Sequence, residues 1–240
     1  TNENAAVYYH KLGTNQQEDR LIYSDPENPR ISNYISTTDD EKYLILYRTM
    51  GTSGTALYMT IVNDGKHKFH PVMDNYDYDH GIAGNIGSTF YLHTNYKAKN
   101  WRLVKFEYDN PKPENWIDVI PESEDPLNSV SIVNGKLLVK YSKDVSSRLY
   151  VYSLEGKIET EVTLPTMGTA YGFDGKIEDT EVFYTFTSFA YPTTVFMYDI
   201  SKDKSTLYRQ SEINIDLCVP NYIFLSNLTH VSLWSLLILE

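Results

Sequence analysis

Short apolar runs recur along the chain, divided by polar and glycine-bearing stretches. ALYMTIV (56–62), RLVKFEY (102–108), RLYVYSL (148–154) and TVFMYDI (194–200) align with one another. Leu57, Leu103, Leu149 and Val195 fill the equivalent place, each 46 residues after the last. AVYYHKLG (6–13) is a fainter copy, with Val7 at the matching place before a somewhat longer insertion. A companion run precedes each of the four: KYLILYR (42–48), STFYLHT (88–94), KLLVKYS (136–142) and EVFYTFT (181–187). The runs are rich in Tyr, Phe, Val, Ile and Leu and too short for helices, so the pattern predicts strands. The connectors TMGTSGT (49–55), NYKAKNW (95–101), KDVSS (143–147) and SFAYPT (188–193) carry turn residues that let antiparallel neighbours reverse.

Two weaker strands complete each unit. RISNYIST (30–37), HGIAGNIG (80–87), NSVSIVNG (128–135) or GTAYGFDG (168–175) comes before the pair. HKFHPVM (67–73), NWIDVIP (115–121), ETEVTLP (159–165) or TLYRQSEINI (206–215) comes after it. Four strands repeated every 40–50 residues mark a β-propeller, whereas a generic antiparallel sandwich has no reason to keep a constant period. The chain is therefore expected to be all-β, a propeller segment over 1–216. It would hold half a blade at about 1–30, then four complete four-stranded blades at about 31–80, 81–126, 127–167 and 168–216. An open fan of blades leaves apolar faces exposed. The leading half-blade adds the expectation that the chain is cut from a larger ring.

Bulk properties narrow the function classes. The net charge of −11 argues against a nucleic-acid or anionic-membrane partner, because phosphates would be repelled. The single cysteine, Cys218, allows no internal disulfide and fits a reducing compartment. TNENAAVYYHKLGT (1–14) lacks the charged start and apolar core of a signal peptide, and it lacks a methionine start.

Particular residues then point to a family. YYHKLGTNQQEDRLIYSDPENP (8–29) resembles the segment joining two blades in the prolyl oligopeptidase family, with its LGT turn, ED pair and acidic-proline connector. STTDDEKYLILY (36–47) resembles that family's next strand entry. NYDYDHGIAGNIGSTFYLHTNYKAKNWRLVKFEYDNPKPENWIDVIPES (75–123) resembles the following one, and DVSSRLYVYSLEG (144–156) continues in register. DTEVFYTFTSFAYPTTVFMYD (179–199) resembles that family's last blade with its F-T-S-F…P turn. The oligopeptidase B group shares LGT…ED and the SF…P turn, but YYHKLGT and NW…VIPE favour prolyl oligopeptidase proper. The resemblance implies a cytosolic serine peptidase that cleaves short peptides after proline. In such an enzyme a seven-bladed propeller caps an α/β-hydrolase domain and excludes folded proteins. The implied partners are that catalytic domain and, through it, short proline-containing peptides, with no nucleic acid and no membrane.

The chemistry of that family is not found in these residues. A hydrolase nucleophile sits in a G-x-S-x-G elbow at a strand-to-helix turn. GTSGT (51–55) lacks the spacing, so Ser53 reads as a turn serine. No residue is assigned to catalysis, to a cofactor or to a metal, and the chain alone is expected to be inactive. HKFH (67–70) puts His67 and His70 on opposite faces of a strand, short of a metal set. His80 and His93 read as packed or exposed side chains of strands. Asp39, Asp40, Glu122, Glu124 and Asp125 read as solvated turn carboxylates. The tyrosines of 179–199 read as blade-to-blade packing rather than a stacking site. In the family, the hairpin after the YLILY-like strand offers an Arg and a Cys toward peptide. Here YRTMGTSGT (47–55) has no cysteine and Arg48 is displaced, so those roles are not carried over.

After SEINID (211–216) the resemblance stops. LCVPNYIFLSNLTHVSLWSLLILE (217–240) is apolar, yet Asn221, Ser226, Asn227, Thr229, His230 and Ser232 make it a poor membrane span. NLT (227–229) has the form of a glycosylation sequon without a secretory signal to use it. The shift suggests a frameshift, a retained intron or an alternative terminal exon. The leading expectation is a non-catalytic propeller fragment of a prolyl oligopeptidase-like peptidase. The alternative is a stand-alone binding module or a splice product without peptidase activity.

Overall fold

The structure, a computed structural model, describes residues 3–62 and 67–210. A half-blade pairs β1 (Ala6–Tyr9) with β2 (Arg20–Ser24). The first full blade holds β3 (Ser32–Thr37), β4 (Tyr43–Thr49), β5 (Thr55–Ile61) and β6 (His70–Met73). The second holds β7 (His80–Ile86), β8 (Thr89–Thr94), β9 (Arg102–Glu107) and β10 (Ile117–Ile120). The third holds β11 (Leu127–Val133), β12 (Lys136–Lys143), β13 (Ser146–Ser153) and β14 (Ile158–Val162). The fourth holds β15 (Thr169–Asp174), β16 (Glu181–Ser188), β17 (Tyr191–Asp199) and β18 (Lys204–Gln210). Each is a four-stranded antiparallel meander with its strands in chain order, the arrangement of a propeller blade. The apolar segment 217–240 lies outside the described residues.

The 46-residue period has a physical seat in this architecture. Leu57 pairs across its hairpin with Tyr47, Leu103 with His93, Leu149 with Lys140 and Val195 with Thr185. Leu57, Leu103 and Leu149 are each fully buried, on the side turned toward the next blade. Leu57 and Met59 meet Phe90 and Leu92; Leu103 and Val119 meet Leu137 and Val139; Leu149 and Val151 meet Tyr184 and Phe186. Burying each such side chain contributes about 1.5–3 kcal/mol, so these seams supply most of the cohesion between sheets. Val195 occupies the same seat on the fourth blade and stays partly exposed, because no described sheet follows it.

Several connectors are tighter than their sequences suggest. β16 and β17 run through SFAYPT and leave only Phe189 and Ala190 between them. Pro192 fits inside β17 beside a break in the ladder between Phe186 and Ser188, and Thr194 Oγ1 donates to its carbonyl at 2.8 Å. His67 precedes β6 rather than lying on it, so the two histidines of HKFH do not share a strand. In KDVSS the turn is Asp144–Val145, with φ of 46° and 61°. Asn134–Gly135 makes the equivalent turn one hairpin earlier, at 49° and 70°. Such mirror-image turns match the strand twist, but they place both residues in the left-handed region, where a β-branched side chain is strained.

The half-blade is held by charge as well as by contact. The Arg48 guanidinium, near the end of β4, hydrogen-bonds the Asp25 carboxylate that follows β2. Its Nε donates to Asn33 Oδ1 at 3.1 Å, and the rings of Tyr23 and Tyr58 flank it at 5.7 and 5.8 Å. The side chains of Arg48 and Asp25 are only 11% and 15% exposed, so neither has water as a ready substitute for the other. This is a correction of emphasis for Arg48: the displaced arginine is part of a blade joint.

Three outcomes are expected. Val145→Gly should raise the unfolding free energy by about 1 kcal/mol by relieving the left-handed valine, read from the urea midpoint. Arg48→Met should lower it by on the order of 3 kcal/mol by stranding Asp25, with part recovered in Arg48→Met/Asp25→Asn. His80 provides the third. It opens β7, is buried, lies 2.7 Å (Nδ1) from Thr94 Oγ1 and packs edge-on against Trp116. Burial lowers its pKa from 6.5 to about 4, with Asp79 opposing the shift. The unfolded chain then binds a proton that the native state refuses, so stability present above pH 6.5 is lost as pH falls toward 4. At pH 5 the loss is about 2 kcal/mol, and His80→Gln should flatten that part of the profile.

Candidate functional site: the two ends of the blades

The blades offer two ends where chemistry could sit. At one end, the hairpins that follow the first strand of each blade converge on the axis. Asp39 Oδ2 accepts from the Ile177 N–H at 3.0 Å, joining the first blade to the fourth across 138 residues. The Ile177 carbonyl accepts from the Asn134 N–H of the third blade at 2.9 Å. Asn85 Nδ2, from the second, donates to Asp40 Oδ2 at 3.3 Å and to the Gly87 carbonyl at 2.9 Å. One hairpin from each complete blade thus enters a single polar knot.

Beneath the knot lies a cavity of about 170 Å³ with Ile45, Tyr47, Ile82 and Ile132 along its walls and Thr38 and Asp39 at its rim. Small-molecule sites usually begin near 300 Å³, so this space holds water more readily than a peptide. Burial alone would raise the Asp40 pKa. Hydrogen bonds from Thr38 Oγ1 (2.6 Å), the Lys42 N–H (3.2 Å) and Asn85 outweigh it and hold the carboxyl below its usual range. Asp40 is an anchored anion, not a proton donor at neutral pH. Asp39 and Asp40 therefore do more than face solvent, as their sequence suggested. They close the axis, and nothing local in DDEK announces a partner 138 residues away.

At the opposite end sit the hairpins that join the two middle strands. Ser53 is exposed at the tip between β4 and β5. The glycine beside it has a packing reason. Gly54 has φ +83°, and a Cβ there would come within 1.9 Å of the Tyr76 carbonyl oxygen. Its N–H donates to Asp79 Oδ1 at 2.7 Å, while the Asp79 N–H donates to Asn95 Oδ1 at 2.7 Å. GTSGT is thus a close-approach turn that pins the first blade to the second. Asp79 and Asn95 were not singled out from sequence, although an Asp before a strand and an Asn after one are habitual turn fasteners.

The remaining candidates also resolve into structural roles. His93 Nε2 donates to the Leu127 carbonyl at 2.9 Å, and its ring stacks on Trp101 at 4.4 Å. Burial lowers its pKa, the Leu127 hydrogen bond opposing. Glu122 Oε1 accepts from the Asn100 N–H at 2.7 Å, and Asp125 pairs with Lys143 at 3.2 Å. The carbonyl of Glu124 accepts from Asn100 Nδ2 at 2.9 Å. Tyr184 and Tyr198 are buried in the seam between the third and fourth blades. No helix among the described residues is long and apolar enough to cross a membrane.

Comparison with known proteins agrees with this geometry. The family described as prolyl oligopeptidase, N-terminal β-propeller domain, matches residues 1–211. The chain is 37% identical over 221 residues to the prolyl endopeptidase of Elizabethkingia miricola, covering 90% of this chain and 30% of that protein. It is 30% identical over 225 residues to the dual function macrocyclase-peptidase POPB of Galerina marginata, again over 30% of its length. The solved structure of prolyl oligopeptidase B from Galerina marginata bound to a 35mer hydrolysis and macrocyclization substrate superposes with a TM-score of 0.82 at 28% identity. That superposition covers 89% of this chain and 31% of the solved one. The chain thus spans about a third of the length of the relatives it matches. With the strand order, the repeat and the match over 1–211 in agreement, the chain belongs to the prolyl oligopeptidase family through its N-terminal β-propeller domain.

Proposed function

We propose that the chain is a non-catalytic section of the propeller that covers a post-proline-cleaving α/β-hydrolase domain and limits its clients to short peptides. The observation that carries the reading is the coverage: the family match runs along the propeller, and these residues equal about 30% of relatives named as peptidases. The geometry supports a wall rather than a catalytic centre. The axial end is laced by Asp39, Asn85, Asn134 and Ile177 over a space of about 170 Å³. A narrow wall of this kind excludes folded domains by size. Arg48 belongs to the frame of this wall, since its Nε donates to Asn33 and a terminal nitrogen to Asp25. The family's cytosolic setting suits a chain with one cysteine and no disulfide to maintain.

The purified 240-residue chain should release no chromophore from a Gly-Pro-amide substrate above the buffer rate, with or without a serine-directed inhibitor. Turnover that the inhibitor abolishes would show a complete nucleophilic site in these residues and sink the proposal.

A further inference from the structure

The turn Asn134–Gly135, between β11 and β12, carries a chemistry that the role of a wall does not use. Both residues are exposed, at φ of 49° and 70°. Among the described residues the Asn134 side-chain amide makes no hydrogen bond, and the Gly135 N–H has no acceptor. A Cβ built on Gly135 would meet nothing within 4 Å, so that side of the turn is open. Asn134 is the one described asparagine followed by glycine. Others are blocked: Asn28 and Asn110 precede prolines, which have no N–H. Carbonyl oxygens hold the Nδ2 atoms of Asn33, Asn85 and Asn100 at 3.0, 2.9 and 2.9 Å.

We infer that Asn134–Gly135 is a site of spontaneous deamidation, restrained by the Ile177 carbonyl and able to cut the third blade from the axial knot once it reacts. Water is the only co-reactant. The Gly135 nitrogen gives up its proton and attacks Cγ of Asn134. The Cγ–Nδ2 bond breaks, and Nδ2 takes a proton and leaves as ammonia. The five-membered imide then adds water and opens to aspartate or to isoaspartate, in which the main chain runs through Cγ. Nothing is oxidised or reduced. Glycine at 135 matters because a Cβ there would crowd the attacking nitrogen.

The restraint comes from the fourth blade. The Asn134 N–H donates to the Ile177 carbonyl at 2.9 Å, which holds the residue in its left-handed turn. Ring closure needs rotation about the Asn134 Cα–C bond to bring Cγ over the Gly135 nitrogen, so the turn must first open. Ile177 is itself fixed. Asp39 accepts its N–H at 3.0 Å, and Asp179 Oδ2 accepts the Lys176 N–H at 2.8 Å. The rate at Asn134 thus reports how often the third and fourth blades part at the axis. Isoaspartate adds one backbone atom to a two-residue turn, which then no longer presents its N–H to Ile177. It also adds a carboxylate to the end where Asp39 and Asp40 sit. The apolar seam of Leu149 and Val151 against Tyr184 and Phe186 is left in place.

The test ages the full 240-residue chain in mildly alkaline buffer and maps isoaspartate by enzymatic methylation and peptide mass. Isoaspartate should form at residue 134 at least about tenfold faster than at any other described asparagine. It should form at least about tenfold slower there than in a free peptide of residues 129–139, which has no Ile177 to hold the turn. Asp179→Ala, which releases the segment bearing Ile177, should speed it by about threefold. Absence of isoaspartate at 134 overturns the site. A rate equal to that of the free peptide, or one unmoved by Asp179→Ala, overturns the restraint. Because an unfolded variant would also react fast, a second measurement uses the unchanged sequence. Amide hydrogen exchange at 176–179 should quicken in the isoaspartate form while exchange in β12 and β13 stays as before. Exchange unchanged at 176–179, or raised throughout the third blade, overturns the selective loss of this link.

Discussion

A propeller blade is a sheet with two apolar faces, and neither can be left in water. That constraint organises the rest of this structure. Each of the three complete seams buries aliphatic and aromatic side chains from both sheets, with Leu57, Leu103 and Leu149 at equivalent points. At about 1.5–3 kcal/mol for each fully buried side chain, one seam outweighs the isolated hydrogen bonds around it, which net about 1 kcal/mol each. The 46-residue period follows from the same cause. Each unit must present one face to its predecessor and one to its successor, so the residue types at each seat are set by the neighbours and not by the strand alone.

Apolar seams are non-directional, and they do not by themselves fix how far one blade rotates against the next. The polar links do that. They sit at the strand ends, where side chains can reach across without being buried in the seam. Asp39 and Asp40 act at one end of the first blade, and Arg48 with Asp25 and Asp79 with Gly54 act at the other. Each uses an ionised group, whose hydrogen bonds are about twice as strong as neutral ones and more demanding of geometry. The division of labour is physical: contact area supplies cohesion, and a few charged hydrogen bonds supply the angle.

The strands, their grouping in fours and the period were legible because a buried face forces composition on every second residue. Reversals within KDVSS and SFAYPT were legible and fall at Asp144–Val145 and Phe189–Ala190, while the turn at Asn134–Gly135 was hidden inside the run NSVSIVNG. Long-range polar partners were not legible. DDEK reads as a solvated turn because the Ile177 N–H that Asp39 serves lies in another blade, and no local pattern encodes that pairing. Arg48 was noticed only as an arginine out of place. Its burial depends on Asp25 and Tyr23, which belong to a half-blade whose packing the sequence signals weakly.

The seam argument also bears on what a partial propeller must do. Cohesion that depends on both neighbours is missing at an end, and the fourth blade shows the consequence in Val195, partly exposed where Leu57, Leu103 and Leu149 are fully buried. A sheet in that condition can be completed by further blades, by another copy or by any apolar segment long enough to lie along it. The same seat therefore sets what can complete it. In a continuing propeller it is a seam, specific for the next blade through interlocking side chains.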